Sequence, residues 1–255
     1  MAQGPVWPGN EEKVKVTYIE HSGFLLETDK AGFLFDYYRG EIPEVNPHLP
    51  LFIFVSHKHQ DHYNPEIFEL MKKHPSVHYI LSRDVPVKWQ IAGYREQGIS
   101  LEEHITVMKK RTTAQLPIAG DGMLEITTLK STDEGVAYLI SCEGQIFYHG
   151  GDYNLWVWEG ESDQYNRNME QAYYRELETL KDRHIDVAFV PLDPRLGGTA
   201  FLGLKSFLDA TDTVRVFPMH MWQEYDIIRS FLHKYPEYEG QVMKIQFQGQ
   251  SFILN

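Results

Sequence analysis

Leu51-Phe52-Ile53-Phe54-Val55-Ser56-His57-Lys58-His59-Gln60-Asp61-His62 decides how the rest of the chain is read. Its first five residues are apolar without alternation, the pattern of a strand covered on both faces, so other layers must lie above and below it. The next part crowds three imidazoles and a carboxylate into one short loop. Asn64 and Pro65 then supply an N-cap and a first helical residue, which predicts a helix over 65–73. The histidines therefore sit on a strand-to-helix loop, at the end of a buried strand.

Imidazole nitrogen and carboxylate oxygen are the ligands a borderline cation such as zinc prefers. One residue separates His57 from His59, so a locally extended loop points both at one ion. Asp61 and His62 are displaced enough to reach a second, as two ions about 3.5–4 Å apart would require. A loop cannot close two coordination shells alone. Partners are offered by three later strand ends, His149-Gly150-Gly151-Asp152, Pro191-Leu192-Asp193 and Pro218-Met219-His220, each following an apolar run.

Working outward, strands are expected at 14–19, 23–28, 31–36, 77–81, 105–108, 123–129, 136–141, 145–148, 185–191 and 213–218, with a hairpin at Asp29-Lys30. Helices are expected near 85–92, 162–183, 200–210 and 224–235, and a final hairpin joins VMKIQF to QSFIL. Two mixed sheets with helices outside, a four-layer αββα sandwich of the α/β (α+β) class, account for this order. No Pro/Ser/Gly linker divides the 255 residues, so one domain over 1–255 is expected.

With 42% hydrophobic and 24% charged residues, the composition is that of a globular protein. The net charge of -12, with no basic cluster beyond Lys109-Lys110-Arg111, argues against nucleic acid as a partner. The single cysteine, Cys142, excludes an intrachain disulfide framework and suits a reducing compartment, so we expect the cytoplasm. The amino-terminal residues lack a basic start and an apolar run, and no stretch approaches the length that spans a bilayer, so neither export nor a membrane is expected. Self-association as a homo-oligomer is left open.

YIEHSGFLLET, FLFDYY, SHKHQDH, YHGGDYN, FVPLD and FPMHMW, spread over nearly the whole chain, together resemble the metallo-β-lactamase-fold hydrolases. Within them they are most similar to the small branch that includes ascorbate-6-phosphate lactonase and related zinc-dependent hydrolases. The resemblance implies His57 and His59 on a first metal, Asp61 and His62 on a second, Asp152 bridging both and His220 completing the second. It also implies Asp36 as a carboxylate that orients the loop from behind, and His21 near the mouth of the site. One departure stands out. The family brings a further histidine to the first metal from a strand end before the GD pair, where this chain reads Leu129-Lys130-Ser131-Thr132-Asp133-Glu134-Gly135. Asp133 or a hydroxyl substitutes, or His149 turns inward, or the first site is weakened; we favour the last. A carboxylate there would move preference toward harder ions such as manganese.

His149 is evenly balanced between a ligand or ligand-supporting role and a packing residue. Tyr153, Trp222 and His21 are candidates to contact an organic substrate, and Arg195 to hold its carboxylate or phosphate. The other histidines, His48, His74, His78, His104, His184 and His233, have no constellation around them.

The expected activity is hydrolysis of an ester, lactone, amide or phosphoester of a small organic substrate. Zinc, as one or two ions, or manganese or iron in its place, lowers the pKa of bound water from about 15.7 toward about 7, and the hydroxide attacks. Asp61 or Asp152 accepts the proton. Cys142 falls inside a strand, so covalent thiol catalysis is not expected. A diiron redox site would call for a carboxylate where His59 stands. An RNA or phosphodiester nuclease and a catalytically degenerate metal-binding protein are the alternatives.

Overall fold

The structure, a computed structural model, describes residues 14–118 and 122–254. In chain order its strands are β1 (Val14–Glu20), β2 (Gly23–Glu27), β3 (Gly32–Phe35), β4 (Leu51–Val55), β5 (Val77–Ser82), β6 (Ile105–Met108), β7 (Thr113–Pro117), β8 (Met123–Lys130), β9 (Val136–Cys142), β10 (Gln145–His149), β11 (His184–Pro191), β12 (Asp212–Met219) and β13 (Ser251–Leu254). The α-helices are α1 (Lys88–Glu96), α2 (Asp163–Leu177), α3 (Leu202–Ala210) and α4 (Asp226–Lys234), and a 3-10 helix covers Pro65–Lys72. Among the described residues the strands form a seven-stranded sheet, β13-β1-β2-β3-β4-β5-β6, and a six-stranded one, β12-β11-β10-β9-β8-β7.

Period-two alternation sorts the apolar strands between two cores. Phe52 and Phe54 of β4 face the second sheet with Phe33 and Phe35, where Phe33 meets Phe147 and Phe54 meets Tyr138, ring centroids 5.5 and 5.2 Å apart. Leu51, Ile53 and Val55 face the other way, onto Ile67 and Phe68 of the 3-10 helix and Tyr94 of α1. Each such side chain contributes about 1.5–3 kcal/mol on burial, which suits β4 to an interior place in its sheet, between β3 and β5. Behind the second sheet, Tyr148 packs on Phe207 of α3 and Tyr153 on Tyr173 of α2. The four layers are thus helix, sheet, sheet, helix.

Some boundaries differ from expectation for local reasons. Pro86 disfavours helical backbone in the residue before it, so α1 opens at Lys88 and not Val85. The residue run 65–72 winds as 3-10 helix, with the Asn64 side chain accepting the Glu66 N–H at 2.9 Å. The hairpin expected at the carboxyl end does not form. Val242 makes only an isolated parallel bridge to Val216, while 251–254 pairs antiparallel with the edge of β1. β7, polar and alternately exposed at a sheet edge, carries too few apolar residues to read as a strand. No helix among the described residues is long and apolar enough to cross a membrane.

β3, β4 and β5 run parallel to one another, as do β10, β11 and β12. Their carboxyl ends therefore collect the loops beginning at Asp36, Ser56, Gly150, Leu192 and His220 along one edge of the sandwich.

Candidate metal centre

The centre is organised by Asp152, which leaves β10 through the Gly150-Gly151 turn and is 6% exposed. Its Oδ2 lies 3.1 Å from His57 Nε2 and 3.9 Å from His59 Nδ1, and its Oδ1 lies 3.0 Å from both His62 Nε2 and His220 Nε2. One carboxylate thus faces two groups of imidazoles. Asp61 stands at the edge, its Oδ2 3.4 Å from His21 Nε2, with a third of its side chain exposed.

The chain sets the tautomers from behind. The fully buried carboxylate of Asp36 accepts three bonds: the Ser56 N–H at 2.7 Å, the Ser56 hydroxyl at 2.5 Å and His62 Nδ1–H at 2.7 Å. Because the Ser56 hydroxyl donates to Asp36, it accepts from His57 Nδ1 at 2.9 Å. In their neutral form both histidines then present Nε2 lone pairs toward Asp152. In the sequence Ser56 carries no signal beyond a hydroxyl next to the first histidine.

Two glycines let the backbones close over this relay. A Cβ on Gly135 (φ +66°) would sit 2.0 Å from the Ser56 carbonyl oxygen, and one on Gly151 (φ +52°) 2.6 Å from Ser56 Cβ.

The electrostatics follow from this crowding. Burial opposes the charged form of Asp152, but His62 and His220 hold its carboxyl well below the usual range. Burial likewise presses on His62 and His220, yet Asp152 carries both above the ordinary imidazole value, with Asp36 helping His62 and Asp193 helping His220. His21 is pressed down to about 4 by burial and by neighbouring His220 and His62, against the pull of Asp61. Asp133 is pushed up by burial and by the Asp152 charge.

A cation fits the donor set present. His57 Nε2, His62 Nε2, His220 Nε2, His21 Nε2 and Asp152 Oδ1 are all buried without a hydrogen-bond partner. Imidazole nitrogens and a carboxylate oxygen crowded together in this way are a donor set that a cation would satisfy together.

Other sequence candidates are placed differently. His149 is not available as a ligand: its Nε2 donates to the Ser22 carbonyl at 3.0 Å, its Nδ1 accepts the Gly151 N–H at 3.2 Å, and its ring stacks on Phe35. Tyr153 does not reach a substrate. It is 1% exposed and its hydroxyl donates to the Tyr173 carbonyl at 2.7 Å, because the turn after Asp152 dives under α2. Arg195 clasps Asp193 through Nε and one terminal nitrogen and lies over the Trp222 ring, 4.6 Å from its centroid. Trp222 Nε1 donates to the same Asp193 at 3.2 Å and the ring stands 4.3 Å from His21. In front of Asp152 opens a cavity of about 260 Å³, whose wall includes His59, Asp61, Asp133, Trp156, Arg195 and His220.

An αββα sandwich with an imidazole and carboxylate centre at its strand ends defines a class, the metallo-β-lactamase fold. Residues 15–164 match the family model described as the beta-lactamase superfamily domain, and the chain belongs to this metallo-β-lactamase-fold hydrolase superfamily. It is 26% identical over 218 residues to a UPF0173 metal-dependent hydrolase of Opitutus terrae, covering 81% of this chain and 84% of that protein. Igni18, a metallo hydrolase from the archaeon Ignicoccus hospitalis KIN4/I, shares the fold with a TM-score of 0.62 at 18% identity, over 95% of this chain and 99% of that one. CmlA, a diiron beta-hydroxylase from Streptomyces venezuelae, does so with a TM-score of 0.62 at 13% identity, over 97% of this chain and 55% of that one.

Proposed function

We propose that this protein is a zinc-dependent hydrolase of a small organic ester, lactone, amide or phosphoester, held in the cavity before Asp152. The observation that carries this reading is the division of the Asp152 carboxylate, Oδ2 toward His57 and His59, Oδ1 toward His62 and His220. Bound there, zinc, or manganese or iron in its place, supplies Lewis-acid polarisation and acidifies water near neutral pH. The protein's own part is to hold the ligand lone pairs inward through Asp36 and Ser56 and to shape the cavity. Asp152 is committed to the imidazoles, so the proton acceptor is one of the carboxylates on the cavity wall. Asp133 and Asp61 are the two that line it beside Asp152. Arg195 is the one Lys or Arg among the described residues lining the cavity; with Nε and one terminal nitrogen committed to Asp193, its remaining N–H groups are what it offers an anionic end of a substrate. The modest volume and the acidic chain support a small molecule over a nucleic acid. Buried Cys142, with no disulfide, supports a cytoplasmic home.

The test is turnover against a panel of aryl ester, lactone, amide and bis-aryl phosphodiester by protein loaded with zinc or manganese. We expect hydrolysis of at least one, and a loss of at least about 100-fold in His59→Ala, which removes a ligand. Fully loaded protein that turns over none of the panel, or an unimpaired His59→Ala, overturns the reading.

A further inference from the structure

We propose that His21 is itself a metal ligand, the third imidazole of a site shared with His62 and His220, so that this second site and not the first holds its cation more tightly. The inference rests on the metal-dependent reading above and goes beyond it. One ring nitrogen from each of His21, His62 and His220 lies within 4.8 Å of the others, all three side chains being buried. The corresponding first-site group is His57, His59 and Asp152, which has only two imidazoles and a half-buried member in His59. Where the strand end before the GD pair brings no histidine to the first site, the β1–β2 turn brings one to the second.

His21 is placed there at a cost. Its backbone has φ +56°, a region a histidine rarely adopts. Two bonds hold it: the His21 N–H donates to the Tyr18 hydroxyl at 2.9 Å, and the His21 carbonyl accepts the His220 N–H at 3.3 Å. The second bond ties the turn directly to the residue that would share the ion. The imidazoles of His21 and His220 end with centroids 4.2 Å apart, and the buried Nε2 of His21 has no hydrogen-bond partner. Asp61 is the competing explanation, since His21 would then merely position that carboxylate. At 3.4 Å their contact is longer than the roughly 2.7–2.9 Å of a charge-assisted bond.

The test measures cation binding directly. Zinc affinity by chelator competition, and the visible spectrum of cobalt-loaded protein, are recorded for wild type, His21→Ala, His21→Gln and His57→Ala. Glutamine can still donate to Asp61 but is a poor ligand for either ion. We expect both His21 variants to lose at least about 100-fold in affinity for the tighter cation and to change the cobalt spectrum, while His57→Ala keeps the tighter cation. Should His21→Gln restore affinity and spectrum, or should both variants bind within about threefold of wild type, His21 is no ligand while the hydrolase reading stands. If His57→Ala loses the tighter cation, the ranking of the sites is wrong. Wild-type protein that binds no cation overturns both readings together.

Discussion

Replacing Gly135 by alanine would test whether the close approach of the β8–β9 turn to the His57 loop holds the centre together. The added Cβ would lie 2.0 Å from the Ser56 carbonyl oxygen and 2.5 Å from His57 Cβ, both too near to coexist, so one backbone must retreat by about 1 Å. The retreat breaks the bond from the Val136 N–H to the Ser56 carbonyl, 3.1 Å long and worth about 0.5–1.5 kcal/mol. A further cost of about 1–2 kcal/mol comes from forcing an L side chain to φ +66°. Together these predict a loss of about 2–3 kcal/mol in urea unfolding. Gly144→Ala supplies the control, since Gly144 has φ +85° and nothing within 4 Å of the new methyl group, so it reports the backbone cost alone. Zinc competition should separate the two variants further. A shift of about 1 Å in His57 lowers affinity by about 10–100-fold, judging by what loosened supporting contacts cost other metal sites, and Gly144→Ala leaves it unchanged. If Gly135→Ala is no less stable than Gly144→Ala and binds zinc like wild type, the packing argument for this loop is refuted.

Asp36→Asn keeps the shape but removes the charge that accepts from Ser56 and His62, and should lower zinc affinity about 10–100-fold; an unchanged dissociation constant would count against the relay. His62 and His220 both have raised pKa values in the metal-free protein, so each holds a proton below that value and must shed it to ligate. Adding zinc below those values should therefore release protons, fewer as pH rises through them. Calorimetry in buffers of different protonation enthalpy measures this, and a pH-independent result contradicts it. Tyr153→Phe should leave turnover unchanged while removing about 1–2 kcal/mol of stability, because the buried Tyr173 carbonyl loses its donor; a changed KM would return Tyr153 to the substrate.

What the chain discloses depends on how local each signal is. β4 is legible because five apolar residues without alternation admit few other readings, and His57, His59, Asp61 and His62 as candidates because four residues of two ligand types share one loop. The turns at Asp152, Asp193 and His220 are legible as ends of apolar runs. His21 reads in the sequence only as a residue near the mouth of the site; its place beside His62 and His220, like the role of Ser56, is set by sheet register and not by spacing. His149 and Tyr153 mislead in the opposite direction. Both lie near a ligand in sequence, yet His149 ends β10 stacked on Phe35 and Tyr153 packs on Tyr173 under α2.

The backbone around the centre is strained, and that strain has a measurable consequence. Of eight non-glycine residues with positive φ among those described, five line this one edge: His21, Asp36, His220, Trp222 and Gln223. At about 1 kcal/mol each, they cost about 5 kcal/mol, comparable to the lower end of a domain's whole stability. Part of this is offset by bonds already described, those of Asp36 to Ser56 and of His220 to the His21 carbonyl. A cation that binds only the folded chain stabilises it by RT ln(1 + [L]/Kd), about 4 kcal/mol at a thousandfold excess over Kd. Chelated protein should then unfold several degrees below the zinc-loaded form, and each tenfold rise in free zinc should add about 1.4 kcal/mol. An unfolding midpoint that is the same in excess chelator and in saturating zinc would mean the hydrogen bonds alone hold these five residues in place.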